Sequence, residues 1–571
     1  MTTFSKADRL VGKEQPFQVG DWYVDPETDR ILRGNQVIRL EPKVMEVLVF
    51  LASYPGQVIT REELETSVWA GTVVGYDSLT SAMLKLRKAF DDNPKNPQII
   101  ETIPKKGYRL VASVQPAKAD LDPVTPGCAE SKNRKLTLSP IKSIALALFT
   151  LAMVVGGVMV FLYQPAKNTM APTQESSYQA SIAILPFDNL GGDPEQEYFV
   201  DGITDDLITD LTRLSSLFVI SRDSTFAYKG IAIDINQIAT DLKVRYILHG
   251  SVRRDNEQVR INALLTDTST GNNIWAERYD GNIKHLFSLQ DQITRKIVSA
   301  LALKLTPAER QNLIQTDTKN IAAYEYFLHG IERFFLYSRS GNQEARKFFE
   351  KAIELDPDFA RAHAILAWTY TFDFMNGWSD TPESSLKTGE QLATKALGLK
   401  ENLPVAYFVR GLVYRERGEY IKALADAEQA VSLDPSYANG HVLHATLLYY
   451  AGRPQEGLEK IKMAIRLNPH HPFNYPFHLG QAYFVLERYP EAIEAFNDGL
   501  KQNPSSERLH VWLAATYAQS GQMDEARWQM EQIRLVNPVI SLKRQQQAFP
   551  FKDPADLARF TDGLKKAGLS D

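Results

Sequence analysis

At 571 residues, with 44% hydrophobic and 23% charged side chains, the chain is too long for one core and too apolar for a disordered one. The formal net charge of −5 gives no overall basic signal for nucleic acid, so any such signal must be local. Cys128 is the only cysteine, which excludes an intrachain disulfide and the Cys/His zinc patterns.

Residues 17–40 predict short strands, FQVGDWYVD, RILRG and QVIRL, with a turn at Gly34-Asn35. Helical periodicity follows. Pro42 suits a first turn, and Val44, Val47, Leu48 and Leu51 form an apolar stripe that Pro55-Gly56 ends. Thr60 and Glu63 have capping-box spacing for a second helix, Leu64 to Val68. After a loop at 70–76, a third helix opens near Asp77 or Ser78. Its Leu79, Met83, Leu86 and Phe90 share one face, and Thr80, Ser81, Lys85 and Lys88 lie opposite, with Arg87 at the edge. A closing strand pair is expected from QIIETI, a turn at Lys105-Lys106-Gly107, and YRLVASV.

In order, VITREELETSVW, DSLTSAMLKLRKAFDDNP and IIETIPKKGYRL resemble the OmpR/PhoB-type winged-helix domain in its membrane-anchored ToxR/CadC-like form, over residues 15–114. The resemblance implies double-stranded DNA as partner. It places Thr80, Ser81, Lys85 and Lys88 in the major groove, with Arg87 and the wing residues Lys105, Lys106 and Arg109 near phosphate. Local charge agrees: from Thr80 to Arg109 there are seven basic residues and three acidic ones, Asp91, Asp92 and Glu101. No receiver domain is expected ahead of the winged helix, so control is expected to come through the membrane.

Residues 115–142, rich in proline and mixed charge, read as a linker. The uncharged run 143–163, SIALALFTLAMVVGGVMVFLY, is 21 residues long, and a helix of that length rises roughly 31 Å, enough to cross a bilayer. Lys132, Arg134, Lys135 and Lys142 precede it. The positive-inside rule therefore predicts a single-pass inner-membrane protein, with residues 1–142 cytoplasmic and 164–571 extracytoplasmic.

Residues 178–306 alternate strand and helix patterns and predict an α/β domain with a mixed sheet. LPFDNLGGDPEQEYFVDGITDDLITDL, RYILHGSVRR and GNNIWAERYD resemble a TolB-like amino-terminal domain. Gly191-Gly192 lacks the residues of a phosphate loop. Asp201, Asp205, Asp206 and Asp210 are read as the solvated side of a helix whose other side carries Ile203, Leu207 and Leu211.

From 322 to 539 a period near 34 appears. Pro435, Pro469, Pro504 and Pro538 recur at intervals of 34, 35 and 34, with small and aromatic residues where paired helices need them. These features resemble tetratricopeptide repeats, six in number, with 540–571 supplying a capping helix. His363, His441 and His510 share the fourth position of three repeats, where acidification would charge them.

The fold class expected is therefore multidomain: an α+β winged helix, one transmembrane helix, an α/β mixed-sheet domain and an all-α repeat solenoid. No nucleophile–base set, cofactor motif or metal-ligand pattern occurs, which points away from an enzyme. The leading function is a membrane-anchored, one-component transcription regulator that self-associates on DNA and senses an extracytoplasmic protein or ligand. The alternative is a membrane-anchored repeat scaffold for envelope assembly.

Overall fold

A computed structural model describes residues 15–34, 36–68, 78–93, 97–103, 106–116, 180–231, 234–312 and 317–570. The amino-terminal region pairs β1 (Phe17–Val19), β2 (Trp22–Asp25), β3 (Arg30–Arg33) and β4 (Gln36–Arg39) as an antiparallel meander. Three helices follow: α1 (Pro42–Ser53), α2 (Arg61–Val68) and α3 (Ser78–Phe90). β5 (Val58–Ile59) pairs with β7 (Gly107–Leu110), which pairs with β6 (Ile100–Ile103). The expected last strand, YRLVASV, is split. β7 closes the wing sheet, whereas β8 (Val114–Pro116) crosses to pair with β1. One core, including Trp22, Val47, Leu48, Leu51, Leu64, Leu79, Leu86 and Phe90, holds both sheets and all three helices.

Local chemistry sets these elements. Thr60 and Glu63 form the reciprocal cap: the Glu63 amide donates to Thr60 Oγ1 at 3.1 Å, and the Thr60 amide to Glu63 Oε2 at 2.8 Å. The buried Asp92 carboxylate accepts the amides of Gln98, Ile99 and Ile100 at 2.6, 3.1 and 2.8 Å, tying the end of α3 to the start of β6. Gly107 sits at φ +147°, and a Cβ there would lie 2.0 Å from the Ile59 carbonyl oxygen. Only glycine lets the wing approach β5 this closely.

The next region is a mixed sheet in the order β11 (Leu217–Val219), β9 (Ala180–Ile184), β12 (Tyr246–Asp255), β13 (Gln258–Asp267), β14 (Asn272–Asn282), with the short β10 (Asp188–Asn189) beside β12. β11, β9 and β12 run parallel; β12, β13 and β14 form an antiparallel meander. Helices α4 (Glu197–Thr212), α5 (Arg222–Phe226), α6 (Ile235–Leu242) and α7 (Leu286–Ala300) complete it, followed by the short α8 (Pro307–Asn312). The acidic side of α4 departs from the solvated face expected. Asp206 accepts Arg361 Nη2 at 2.6 Å, Asp205 lies 3.3 Å from Arg222 Nε, and Lys229 Nζ donates to Asp201 at 2.6 Å. Asp206 thus meets the repeats, while Asp201 and Asp205 are paired within the α/β domain.

The repeats are helix pairs: α9 (Ile321–Phe334) with α10 (Arg339–Leu355), α11 (Ala360–Met375) with α12 (Pro382–Leu399), and α13 (Pro404–Glu416) with α14 (Tyr420–Leu433). α15 (Ala438–Tyr450) pairs with α16 (Pro454–Leu467), α17 (Asn474–Val485) with α18 (Tyr489–Gln502), and α19 (Glu507–Gln519) with α20 (Met523–Val536). The small residues are steric necessities: a Cβ on Gly480 would lie 2.4 Å from the ring of Phe496. α21 (Leu542–Ala548) and α22 (Pro554–Lys566) follow, and Phe560 of α22 packs 4.5 Å from the buried Trp512 ring.

The transmembrane helix expected at 143–163 falls outside the described residues. Among the described residues no helix is long and apolar enough to cross a membrane. The 18-residue α12 has the length for most of a span, but it carries Glu383, Lys387, Glu390 and Lys395. In addition, Lys85 and Pro504, which the predicted topology puts on opposite sides of a bilayer, are in hydrogen-bond contact. The membrane anchor, the single-pass localisation and the extracytoplasmic placement of the repeats are therefore withdrawn for both functional readings.

Candidate nucleic-acid interface

Helix α3 divides its residues as its periodicity requires. Leu79, Ala82, Met83, Leu86 and Phe90 are buried, while Thr80 and Lys88 are exposed on the other side. Arg61 Nη1 of α2 donates to Thr80 Oγ1 at 3.2 Å, holding the amino-terminal turn of α3 against the preceding helix. Lys106 is exposed at the wing turn. The side chain of Ser81 and the whole of Lys105 fall outside the described residues.

Three of the basic residues have other engagements. Arg87 Nη2 donates to the Ile100 carbonyl at 3.1 Å and to Thr102 Oγ1 at 2.7 Å, so this guanidinium braces α3 against β6. Arg109 on β7 is half-buried and pairs across the wing with Glu101 Oε2 at 2.5 Å. Lys85 departs furthest from the solvent-facing lysine expected. It is only 5% exposed, and its Nζ lies 2.5 Å from Glu41 Oε1 and 2.5 Å from the Pro504 carbonyl oxygen. His510 Nε2 stands 3.3 Å from the same Glu41 carboxylate. Burial alone would raise the Glu41 carboxyl, but His510 and Lys85 together hold it below its ordinary value. Burial pushes the Lys85 ammonium down despite Glu41.

The three fourth-position histidines perform one repeated structural task. Nε2 of His363, His441 and His510 donates to the carbonyls of Pro357, Pro435 and Pro504, each at 2.9 Å. Each ring thus satisfies a carbonyl in the turn between one helix pair and the next. Burial lowers the pKa of His363 and of His441, the latter to about 4. Among the described residues no group of His, Cys, Asp and Glu is arranged to hold a metal ion.

Comparison with known proteins assigns the regions separately. Residues 34–110 match the family described as transcriptional regulatory protein, C terminal, and residues 178–296 match the second domain of HilA/YgeH-like transcriptional regulators. For the latter segment the sequence reading names a TolB-like domain instead. Residues 341–359, 404–437 and 486–543 match tetratricopeptide-repeat families. The matched families are regulatory and repeat modules, not enzymes.

Among curated proteins, the chain is 39% identical over 267 residues to "Putative adenylate cyclase 3" of Rhizobium meliloti (strain 1021), covering 47% of this chain and 45% of that protein. It is 22% identical over 501 residues to "Transcriptional activator CadC" of Escherichia coli (strain K12), covering 80% and 94%. It is 21% identical over 442 residues to "Transcriptional regulator HilA" of Salmonella typhimurium, covering 77% and 68%. The chain spans less than half the length of the first of these. Together the fold and the matches support a winged-helix domain of the transcriptional-regulator type and a repeat region, in a chain related in sequence to CadC and HilA.

Proposed function

We propose that this chain is a transcription regulator that binds double-stranded DNA by inserting α3 in the major groove while the wing at β6–β7 meets the phosphate backbone. The observation that carries the reading is the division of α3. A fully apolar inner face anchors a helix whose outer face offers Thr80 and Lys88, and the exposed Lys106 stands on the adjoining hairpin. A helix so mounted presents hydrogen-bonding groups to base edges, and a basic turn beside it supplies counter-charge to phosphate. Ser81 and Lys105 belong to the same proposed surface by position. Arg87 and Arg109 act mainly by holding the helix and wing in register. Lys85 joins the surface only when it is released from Glu41 and Pro504. The α/β domain and the repeats supply the regulatory input.

The test is a gel-shift titration of the full chain on genomic fragments recovered by genome-wide mapping of the bound DNA. Lys88→Ala, Lys106→Ala and Thr80→Ala should each weaken binding to the recovered sites. Unchanged affinity in the triple variant would overturn the assignment.

A further inference from the structure

Strand β14 ends the mixed sheet. It runs 11 residues, Asn272–Asn282, and among the described residues it pairs only with β13, which leaves its outer edge open there. Among the described residues no backbone hydrogen bond joins the far side of β14 to any other element. Edges of this length are normally blunted by proline, lysine, brevity or a covering segment, because the unpaired amides and carbonyls template another strand. The sequence NNIWAERYDGN has neither proline nor lysine, and its charges, Glu277, Arg278 and Asp280, are of both signs, so a second strand can match them rather than only be repelled. Its one irregularity, a register shift opposite Leu265/Thr266, is confined to the amino-terminal end and leaves residues 276–282 regular.

We infer that β14 is a dimerisation edge, pairing antiparallel with β14 of a second copy of this chain to make one continuous sheet. The charge pattern selects the occupant and the register. A two-fold axis perpendicular to the sheet keeps both α7 helices on one side, so each residue faces one of the same inward or outward sense. With the axis at Tyr279, Arg278 of each copy faces Asp280 of the other, Glu277 faces Gly281, and the two Tyr279 residues meet. An axis at Glu277, Arg278 or Asp280 would instead place a charge against itself, which opposes pairing. Arg278 and Asp280 are 62% and 47% exposed, so both can be reached by a partner strand. Asp280 already gathers Arg260 at 2.5 Å and Arg278 at 3.0 Å, so the charges that would cross the axis are present at the edge. Outward-facing Ile274, 43% exposed, adds apolar surface beyond the regular stretch.

The consequence for gene control rests on the DNA-binding reading above. Two chains joined at β14 would carry two winged helices to adjacent half-sites, raising the effective concentration of the second. The pairing itself does not depend on that reading.

Sedimentation of the full chain, with and without reversed charges, provides the test. The parent should dimerise. Arg278→Asp alone, or Asp280→Arg alone, turns two facing pairs repulsive and should weaken the dimer roughly tenfold. Arg278→Asp combined with Asp280→Arg restores opposite charges and should restore the dimer. Amide exchange within residues 276–282 of the parent should also slow as concentration rises. A monomeric parent at concentrations that saturate DNA, single reversals without effect, or exchange at β14 that ignores concentration would each overturn the inference. Binding of an isolated half-site should stay unchanged in the reversed variants. Absence of half-site binding in the parent would instead sink the DNA-binding reading and leave the dimer result standing.

Discussion

The Arg361 guanidinium at the start of α11 lies 2.6 Å from the Asp206 carboxylate on α4, and so fastens the repeat solenoid to the α/β domain. The same guanidinium stands 3.4 Å from Asp317 and 4.6 Å from the centre of the Phe327 ring, and it is only 7% exposed. Removing it leaves the enclosed Asp206 carboxylate without its counter-charge, while Asp317 keeps Lys400 at 2.7 Å. Arg361→Ala should therefore lower the unfolding free energy by about 3–5 kcal/mol, the usual cost of breaking a buried pair from one side. Equilibrium denaturation measures this. Asp206→Asn, which keeps the volume and removes only the charge, should cost less.

The wing depends on one backbone position. At Gly107 a Cβ would meet the Ile59 carbonyl oxygen at 2.0 Å and the Thr60 Cα at 2.8 Å, and both obstacles are backbone. Gly107→Ala must push β7 away from β5. The expected result is a loss of at least 2 kcal/mol or so in stability, together with loss of DNA binding, since strain at such a backbone costs about 1–3 kcal/mol before any lost pairing is counted. Normal melting and normal DNA affinity in this variant would contradict the role given to the close approach.

Much of the amino-terminal fold was legible because its information is local. The stripe Leu79, Met83, Leu86 and Phe90 is buried as its spacing requires, and the Thr60/Glu63 cap forms between residues three apart. The fate of the opposite face was not legible. Lys85 occupies a polar position by helical period, yet its partners come from 44 residues upstream and 419 residues downstream. The acidic run on α4 misled for the same reason. Charge on one side of a helix looks the same whether water or Arg361 covers it, and only the tertiary arrangement distinguishes them. The exposed Thr80, Lys88 and Lys106 could be listed from sequence; that Arg87 and Arg109 are spent on the wing could not.

Arg87 and Lys88 are neighbours whose substitutions should separate cleanly. Lys88 is exposed, so Lys88→Ala should change stability by no more than about 0.5 kcal/mol. It should also reduce the salt dependence of DNA binding by about one unit of slope if the ammonium meets a phosphate. Arg87→Ala removes the hydrogen bonds to the Ile100 carbonyl and Thr102, and should lower stability by about 1–3 kcal/mol by leaving a half-buried carbonyl unsatisfied. Thermal melts and gel shifts across a salt series on both variants check the contrast. A stable Arg87→Ala variant with a flattened salt slope would instead assign Arg87 to phosphate.

His441 tests whether the repeats respond to acid, and the sign can be worked out. The ring is buried, donates Nε2–H to the Pro435 carbonyl, and faces Lys460, whose charge disfavours its protonation. Burial is the largest influence and brings its pKa from 6.5 down to about 4. Because the folded value lies below the unfolded one, the unfolded chain binds more protons in between. The stability contribution is whole above about pH 6.5 and is lost as pH falls toward 4. From pH 7 to pH 5 the parent should lose ~2 kcal/mol more than His441→Gln, which has no ring to protonate. Asp434, raised to about 6 chiefly by burial, acts in the opposite direction, gaining stability as pH falls. It is present in both proteins and cancels from the comparison. Denaturation at pH 7 and pH 5 gives the difference directly, and an NMR titration of the His441 ring should show no protonation at pH 6. Equal losses in the two proteins, or a ring that titrates near its ordinary value, would show that this histidine is not enclosed as described and would return it to the candidates for acid sensing.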